Sequence, residues 1–279
     1  MATLRHPSKF ESSDTTISYS FSLSGLEWQS EQSFRTALAT IAGADYAHDY
    51  HGYDPAPKDP ARERLRCILV ESTTANLEAE IDEARGECSR IGKGKLYIVE
   101  SDASLRWAWA RCAQIPSITI GVDNVVHAFM TFDFIRLSNW YGPTAYDEEF
   151  PVDANPETFN VVVPGNAPVY DAVIRVRAND TNAVTWPLVF TNTTNGYVFT
   201  LDRADFTTAN EEERITCASD LVEYSSNNGS AYADDPSALT LPAGQTRIMR
   251  FEPGTNAISV ATAGTPDYDI DIDFVPQYV

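Results

Sequence analysis

The side chains in this sequence best suited to chemistry are carboxylates. Near its C-terminal end Asp267, Asp269, Asp271 and Asp273 alternate with Tyr268, Ile270, Ile272 and Phe274. A period of two puts the acids on one face of a strand and the apolar residues on the other. Four acids on one face invite a calcium ion, but calcium takes about six to eight oxygens converging from a loop. Alternate strand residues point in parallel, about 7 Å apart. A solvated or partner-facing acidic face is therefore expected ahead of a calcium site. Glu211-Glu212-Glu213 and Asp147-Glu148-Glu149 read as solvated turns. Glycoside hydrolysis needs two carboxylates held across a cleft; the 40 acidic residues allow such a pair by number, but no pair stands out.

The other reactive residue types are sparse. Of the histidines His6, His48, His51 and His127, only His48 and His51 are close, and without a third ligand nearby they define no metal geometry. Cys67, Cys88, Cys112 and Cys217 form no Cys-x-x-Cys pair and read as buried free thiols. No Gly-x-Ser-x-Gly element, phosphate-binding glycine loop or His-Glu-x-x-His motif is present. Neither catalysis nor a cofactor or metal is expected. Trp107 and Trp109 share one face of a strand with Leu105. Such a pair suits a sugar-stacking platform or, more commonly, a core or a subunit contact.

Charge narrows the partners. With 20 Lys+Arg against 40 Asp+Glu, the net charge of -20 repels phosphate backbones, so nucleic acid is excluded as a partner. The same surface suits basic patches on proteins. Lysine is scarce and ends at Lys95. No apolar leader and no membrane-length apolar run appear, which predicts a protein made in a cytoplasm and kept or assembled there, with no membrane partner.

Several elements would carry these residues. Thr15 to Ser24 alternates as a strand, Phe34 to Ile41 suggests another, and 43–60 reads as an irregular link. Arg62 to Val70 predicts a strand with Arg62, Arg64 and Arg66 on its polar face. One helix is expected from about Thr74 to Ile91, capped by Thr73 or Thr74 and stopped by Gly92. Leu77, Ile81, Ala84, Cys88 and Ile91 form its apolar stripe, and Glu78, Glu80, Asp82 and Glu83 suit the positive end of its dipole. Strands follow at Lys95–Glu100, Leu105–Ile115 and Val125–Trp140. The acidic stretch Tyr146 to Pro156 is the expected domain boundary, giving domains 1–150 and 151–279. From Thr158 short strands and turns rich in Asn, Gly, Pro and Asp recur about every ten residues, the pattern of a β-sandwich or jelly roll. The fold class is mainly β with one helix (α+β).

The second half resembles the C-terminal domain of phage distal tail proteins, the siphovirus tail component family. The resemblance rests on Gly165-Asn166-Ala167-Pro168, on Phe190 to Phe199 with Asn192 and Gly196, on Leu239 to Gly244, and on Pro253 to Ile258. Two departures stand out: Cys217-Ala218 replaces a common Ile-Asp, and the Pro-Gly-x-Asn element is divided between 242–245 and 253–256. The first half is similar in the order of its elements to that family's ring-forming domain. The resemblance implies a galectin-like β-sandwich behind a ring-forming (belt) domain. It also implies a non-enzymatic virion protein of the tail tip, assembled in the host cytoplasm. Six copies would form a ring joining the tail tube protein to the hub and to tail-tip or fibre proteins. Trp107, Trp109, Trp140 and Tyr141 are the candidate interface residues, because aromatics are enriched at interface centres. A rival reading is a carbohydrate-binding adhesin presenting Trp186, Tyr197 or Tyr232; a tail-associated hydrolase lacks any marked site.

Overall fold

Period-two alternation runs through most of the chain, and a computed structural model shows the antiparallel sheets it builds. The structure describes residues 5–21, 25–31, 38–40, 47–49, 61–120, 126–179, 186–203, 206, 209, 211–227, 229–264 and 266–278, with 38–40 and 47–49 as backbone only. The chain divides into two compact units, Met1–Trp140 and Tyr141–Val279. The described residues are mainly β, with a single α-helix.

The first unit contains β1 (His6–Ser12), β2 (Ser18–Ser20), β3 (Glu27–Glu31), β4 (Leu38–Thr40), β5 (Ala47–Asp49) and β6 (Ala61–Val70). These are followed by α1 (Thr74–Arg90), β7 (Lys93–Val99), β8 (Leu105–Cys112), β9 (Ser117–Ile120) and β10 (His127–Arg136). The main sheet runs β2-β1-β7-β8-β10-β6-β3, and β9 pairs with the part of β10 that β8 leaves free. β4 and β5 pair with each other. Of the expected strand at 15–24 only Ser18–Ser20 is a strand among the described residues. The His48 and His51 side chains and most of 43–60 lie outside them.

Alternation sorts this sheet into two faces. Ala128, Met130, Phe132 and Phe134 of β10 point inward, with Phe129, Thr131, Asp133 and Ile135 on the other side. The inner face closes on aromatic contacts, Phe10–Phe134 at 4.8 Å, Phe21–Phe132 at 5.1 Å and Tyr19–Phe132 at 5.6 Å. Each such ring contributes about 1.5–3 kcal/mol by leaving water. The helix covers this side with Leu77, Ile81, Ala84 and Cys88, and Tyr19 donates to Glu80 at 3.0 Å. Thr73 caps the helix by accepting from the Asn76 amide at 3.2 Å. The first turn holds no acid, so the expected dipole contacts begin one turn later. The helix does not end in a left-handed glycine at Gly92. It ends at Ile91, whose extended backbone (φ -74°, ψ 109°) leads the buried side chain straight towards β7.

The first unit holds an internal ion pair. Glu63 on β6 and Arg136 on β10 form an ion pair at 2.8 Å with almost no exposure. Trp28 and Ser30 donate to the same carboxylate at 2.9 and 2.8 Å, and Arg136 also donates to the Ser138 carbonyl. With its lone pairs filled, the pair can persist where isolated charges could not.

The two-residue strand β11 (Trp140–Tyr141) spans the division between the units. The second unit then holds β12 (Tyr146–Val152), β13 (Glu157–Val163), β14 (Val173–Ala178), β15 (Leu188–Asn192), β16 (Tyr197–Leu201), β17 (Glu212–Thr216) and β18 (Leu221–Ser225). β19 (Ala233–Asp234), β20 (Leu239–Thr240), β21 (Gly254–Ala261), β22 (Tyr268–Phe274) and β23 (Gln277–Tyr278) complete it. One sheet runs β12-β22-β14-β17-β18-β19 and the other β13-β21-β15-β16-β20. Their inner faces share one core, including Phe150, Ile174, Val176, Phe190, Phe199, Ile258, Ile270 and Ile272. This is a β-sandwich. The acidic stretch at 146–152, expected at a boundary, is instead β12, paired along its length with β22.

The turn motifs of the second half have structural work. Asn192 is fully buried; it donates to the Arg250 carbonyl at 2.9 Å and accepts from the Thr194 amide at 3.1 Å. Asn256, also buried, accepts from the Glu252 amide and donates to its carbonyl, both at 2.7 Å. Gly165 lies against the backbone of Gln277, where an added Cβ would come within 2.1 Å of the carbonyl oxygen.

Candidate functional site

The hairpin of β7 and β8 carries the most distinctive side-chain arrangement. Gly94, Leu96 and Ile98 alternate inward on β7, leaving Lys93, Lys95 and Tyr97 outward. On β8 the small residues Ala108 and Ala110 face the core, so Trp107 and Trp109 face out. Register then decides which residues meet: Lys95 lies opposite Trp109, Tyr97 opposite Trp107 and Lys93 opposite Arg111. Lys93 Nζ lies 4.5 Å from the Trp109 ring centre, Lys95 Nζ 4.7 Å from Trp107, and Lys9 Nζ 4.3 Å from Tyr97. These are cation–π distances. The two indoles meet edge to face at 5.4 Å.

The edge of this face is internally balanced. Glu11 on β1 accepts from Lys9 at 2.9 Å and from Tyr97 at 2.8 Å. Burial opposes its charge, but these two donors outweigh burial and hold the carboxyl below its ordinary value. Burial, and then the Glu11 contact, pushes Tyr97 up to about 12. Lys93, Lys95 and Arg111 form no ion pair among the described residues. Leu105 and Leu137 flank the tryptophans and are both 45% exposed.

Trp107 and Trp109 thus share an open face and are not core. Each already has an ammonium over its ring, where a stacked sugar would sit. Trp140 is elsewhere: it is 2% exposed and packs edge to face with Trp28 at 6.3 Å, beside Arg5 and Arg136. Tyr141 is half-buried and donates to Asp171 at 3.2 Å. Lys93, Lys95 and Arg111 were missed by sequence reasoning, although the Lys-x-Lys-x-Tyr spacing and the scarcity of lysine were visible.

The acidic face of β22 is real but not solitary. Tyr268, Ile270, Ile272 and Phe274 are buried, while Asp269, Asp271 and Asp273 turn outward beside β14. Arg175 lies between Asp271 at 2.9 Å and Asp273 at 2.5 Å. Arg177 reaches Glu149 at 3.1 Å and Glu212 at 3.6 Å, and Arg214 reaches Glu223 at 2.6 Å. Burial raises the Asp271 carboxyl above its ordinary value, with nearby Asp147 adding to it against the pull of Arg175. The acids face arginines and do not converge. Among the described residues no group of three or more His, Cys, Asp or Glu could hold a metal.

A fully buried acid of the second unit also has a shifted pKa. Glu213 is 0% exposed and pairs with Arg203, which also stacks 3.8 Å over Tyr224. Burial pushes its carboxyl up to about 7, against the pull of Arg203. Such a shift can mark a site, but here the group sits inside the sandwich beside its own counter-ion. The adhesin candidates do not share a surface: Trp186 is buried against Phe206, Tyr197 packs on the core, and Tyr232 lies under Arg214 and donates to Glu212. Of the cysteines, Cys67, Cys88 and Cys217 are buried thiols outside any disulfide, whereas Cys112 is half-buried and donates to the Gln114 carbonyl at 2.9 Å.

No family model and no curated protein matches the sequence. Solved structures do match its fold. The chain superposes on the Dit (gp 19.1) protein of phage SPP1, described as a paradigm of the hub adsorption apparatus in Gram-positive-infecting phages. The TM-score is 0.60 with 15% identity, over 89% of this chain and 90% of that one. Chains of the phage P2 baseplate in its activated conformation, with Ca or with Sr, superpose more distantly. Their TM-score is 0.45 at 8% and 9% identity, over 99% of this chain and 100% of theirs. At these identities the likeness is one of fold.

Proposed function

We propose that this chain is a structural protein of a phage tail tip, a distal tail protein whose copies close into a six-membered ring. The ring joins the tail tube to the baseplate hub and the host-adhesion apparatus. The first unit, Met1–Trp140, forms the ring, and Tyr141–Val279 is a galectin-like sandwich. No catalysis and no cofactor belong to this reading. The observation that carries it is the shared fold with the SPP1 hub protein across nearly all of both chains. The turn motifs at 165–168, 190–199 and 253–258 support it from the sequence side.

The interface candidates Trp107 and Trp109 fit this role, because they sit on an open sheet face with exposed leucines. The adhesin reading has less support, since its aromatics are buried or separated. The test is the mass of the purified chain by light scattering after size exclusion, with an image of the same peak. A closed particle of about six times 30.8 kDa is expected for a cyclic assembly. A chain that stays single at every concentration and binds host glycans instead would overturn the reading.

A further inference from the structure

The net charge of -20 makes two copies of this chain repel each other. Self-association therefore needs a place where local charges are complementary. Of the four lysines in the sequence, Lys9, Lys93 and Lys95 lie on the outer face of the first unit's sheet. Lys9 is neutralised by Glu11. Lys93 and Lys95, with Arg111 opposite Lys93, form no ion pair among the described residues and surround the half-exposed tryptophans. Glu11 faces Lys95 across the β1–β7 pair and interacts with its charge, but it is one carboxylate among Lys9, Lys93, Lys95 and Arg111, so this face keeps an excess of positive charge.

The counter-charge exists on the opposite side of the same unit. Helix α1 covers the sheet's inner face with Leu77, Ile81, Ala84 and Cys88, so Glu78, Asp82 and Glu83 are exposed on its far side. No ion pair involves these three acids among the described residues. The spacing also fits. Glu78 and Asp82 are four residues apart, about 6 Å along the helix, and Lys93 and Lys95 are about 7 Å apart along their strand.

We infer that the Lys93, Lys95, Arg111, Trp107 and Trp109 face of one copy docks on the Glu78, Asp82 and Glu83 face of helix α1 of the next. The contact joins two different patches, so it is heterologous, the kind of contact that makes a ring when the rotation between neighbours closes and a filament when it does not. The indoles supply the apolar centre and the charges supply register and exclusion of wrong orientations. This inference rests on the ring reading above and names the surface that would make the ring.

Charge-swapped variants of the full chain test it. Lys93→Glu with Lys95→Glu should weaken assembly about a hundredfold or more, since like charges would then face each other. Glu78→Lys, Asp82→Lys and Glu83→Lys together should do the same. Lys93→Glu with Lys95→Glu removes two cation–π contacts and sets a new acid opposite Glu11, so its melt should fall by a few degrees. Lys93→Met with Lys95→Met, which adds no acid, should still weaken assembly, keeping loss of assembly separate from loss of folding. Mixing the two charge-swapped variants should restore particles in which they alternate at equal numbers. Particles from the parent chain that persist unchanged in the Lys93→Glu, Lys95→Glu variant would overturn this contact while leaving the ring reading intact. Failure of the mixed variants to reassemble would also overturn it, pointing to a different acidic partner on the lysine face. A parent chain that never assembles would overturn both.

Discussion

On the outer face of the sandwich, Arg175 and Arg177 lie among Glu149, Glu212, Asp271 and Asp273. On the outer face of the first unit, Lys93 and Lys95 lie over tryptophan rings with no carboxylate in ion-pair range among the described residues. Both are faces of antiparallel sheets with the same two-residue period, and both alternate charged side chains with core residues. In the first case neighbouring strands β12, β22, β14 and β17 bring opposite charges into register, and the face is complete within one chain. In the second β8 brings aromatic rings, which attract a cation without neutralising it, and the one carboxylate that β1 places opposite Lys95, Glu11, is already hydrogen-bonded to Lys9 and Tyr97. Charge satisfied within the chain adds to its stability, whereas unneutralised charge remains available for association.

The contrast is most exposed to disproof where satisfaction is most complete. Arg136→Met removes the hydrogen-bonded cation from a carboxylate that is 1% exposed, leaving Glu63 with the Trp28 and Ser30 donors and the more distant charge of Arg5. Breaking a buried pair from one side costs about 3–5 kcal/mol, so the first unit's urea midpoint should fall further than with any surface charge change. A loss below about 1 kcal/mol would mean that Glu63 accepts a proton or reaches water. In the second unit Glu213 provides a pH readout. Its folded pKa is raised from 4.5 to about 7, so between those values the folded state binds more protons than the unfolded state. Stability of the second unit should therefore fall as pH rises from about 4.5 to about 7, and level off above. At about 1.4 kcal/mol per unit, the full difference is about 3 kcal/mol. Glu213→Gln should flatten that slope in melts taken across the window, and an unchanged slope would assign it to another group.

The strands were legible wherever alternation was strong, as at 105–112 and 268–274, and so was the buried stripe of the helix. What was not legible depended on contacts far apart in sequence. The acidic face of β22 could be read, but not that β14, nearly a hundred residues earlier, supplies Arg175 beside it. Trp107, Trp109 and Trp140 looked alike as aromatics in strands. Only the register of β8, and the burial of Trp140 beside Trp28, separates an outward pair from a core residue. Gly92 failed as a helix stop because the chain turns directly into β7 behind a buried Ile91, with no left-handed residue needed. The site was half visible: the tryptophans drew attention as aromatics, but their lysines became partners only through cross-strand pairing.

The finest test compares the two outer faces by the same substitution. Arg175→Met would leave Asp271 and Asp273 without their nearest cation, while Asp147 stays close to Asp271. Charged hydrogen bonds of this partly exposed kind contribute about 1–2 kcal/mol net. The loss should grow at low salt, where the remaining acids repel over a longer range. Lys95→Met removes one cation from an aromatic pair and leaves no carboxylate behind in ion-pair contact. An exposed cation–π contact is worth about 0.5–1 kcal/mol, and the methionine side chain keeps part of the packing on Trp107. Its chemical denaturation midpoint should therefore move by about 0.5 kcal/mol or less, with little salt dependence. If Lys95→Met proves as costly as Arg175→Met, the lysine face is a stability element of the first unit and the contrast between the faces disappears. If the cost stays small while assembly weakens, folding and association are assigned to different charges on different sheets.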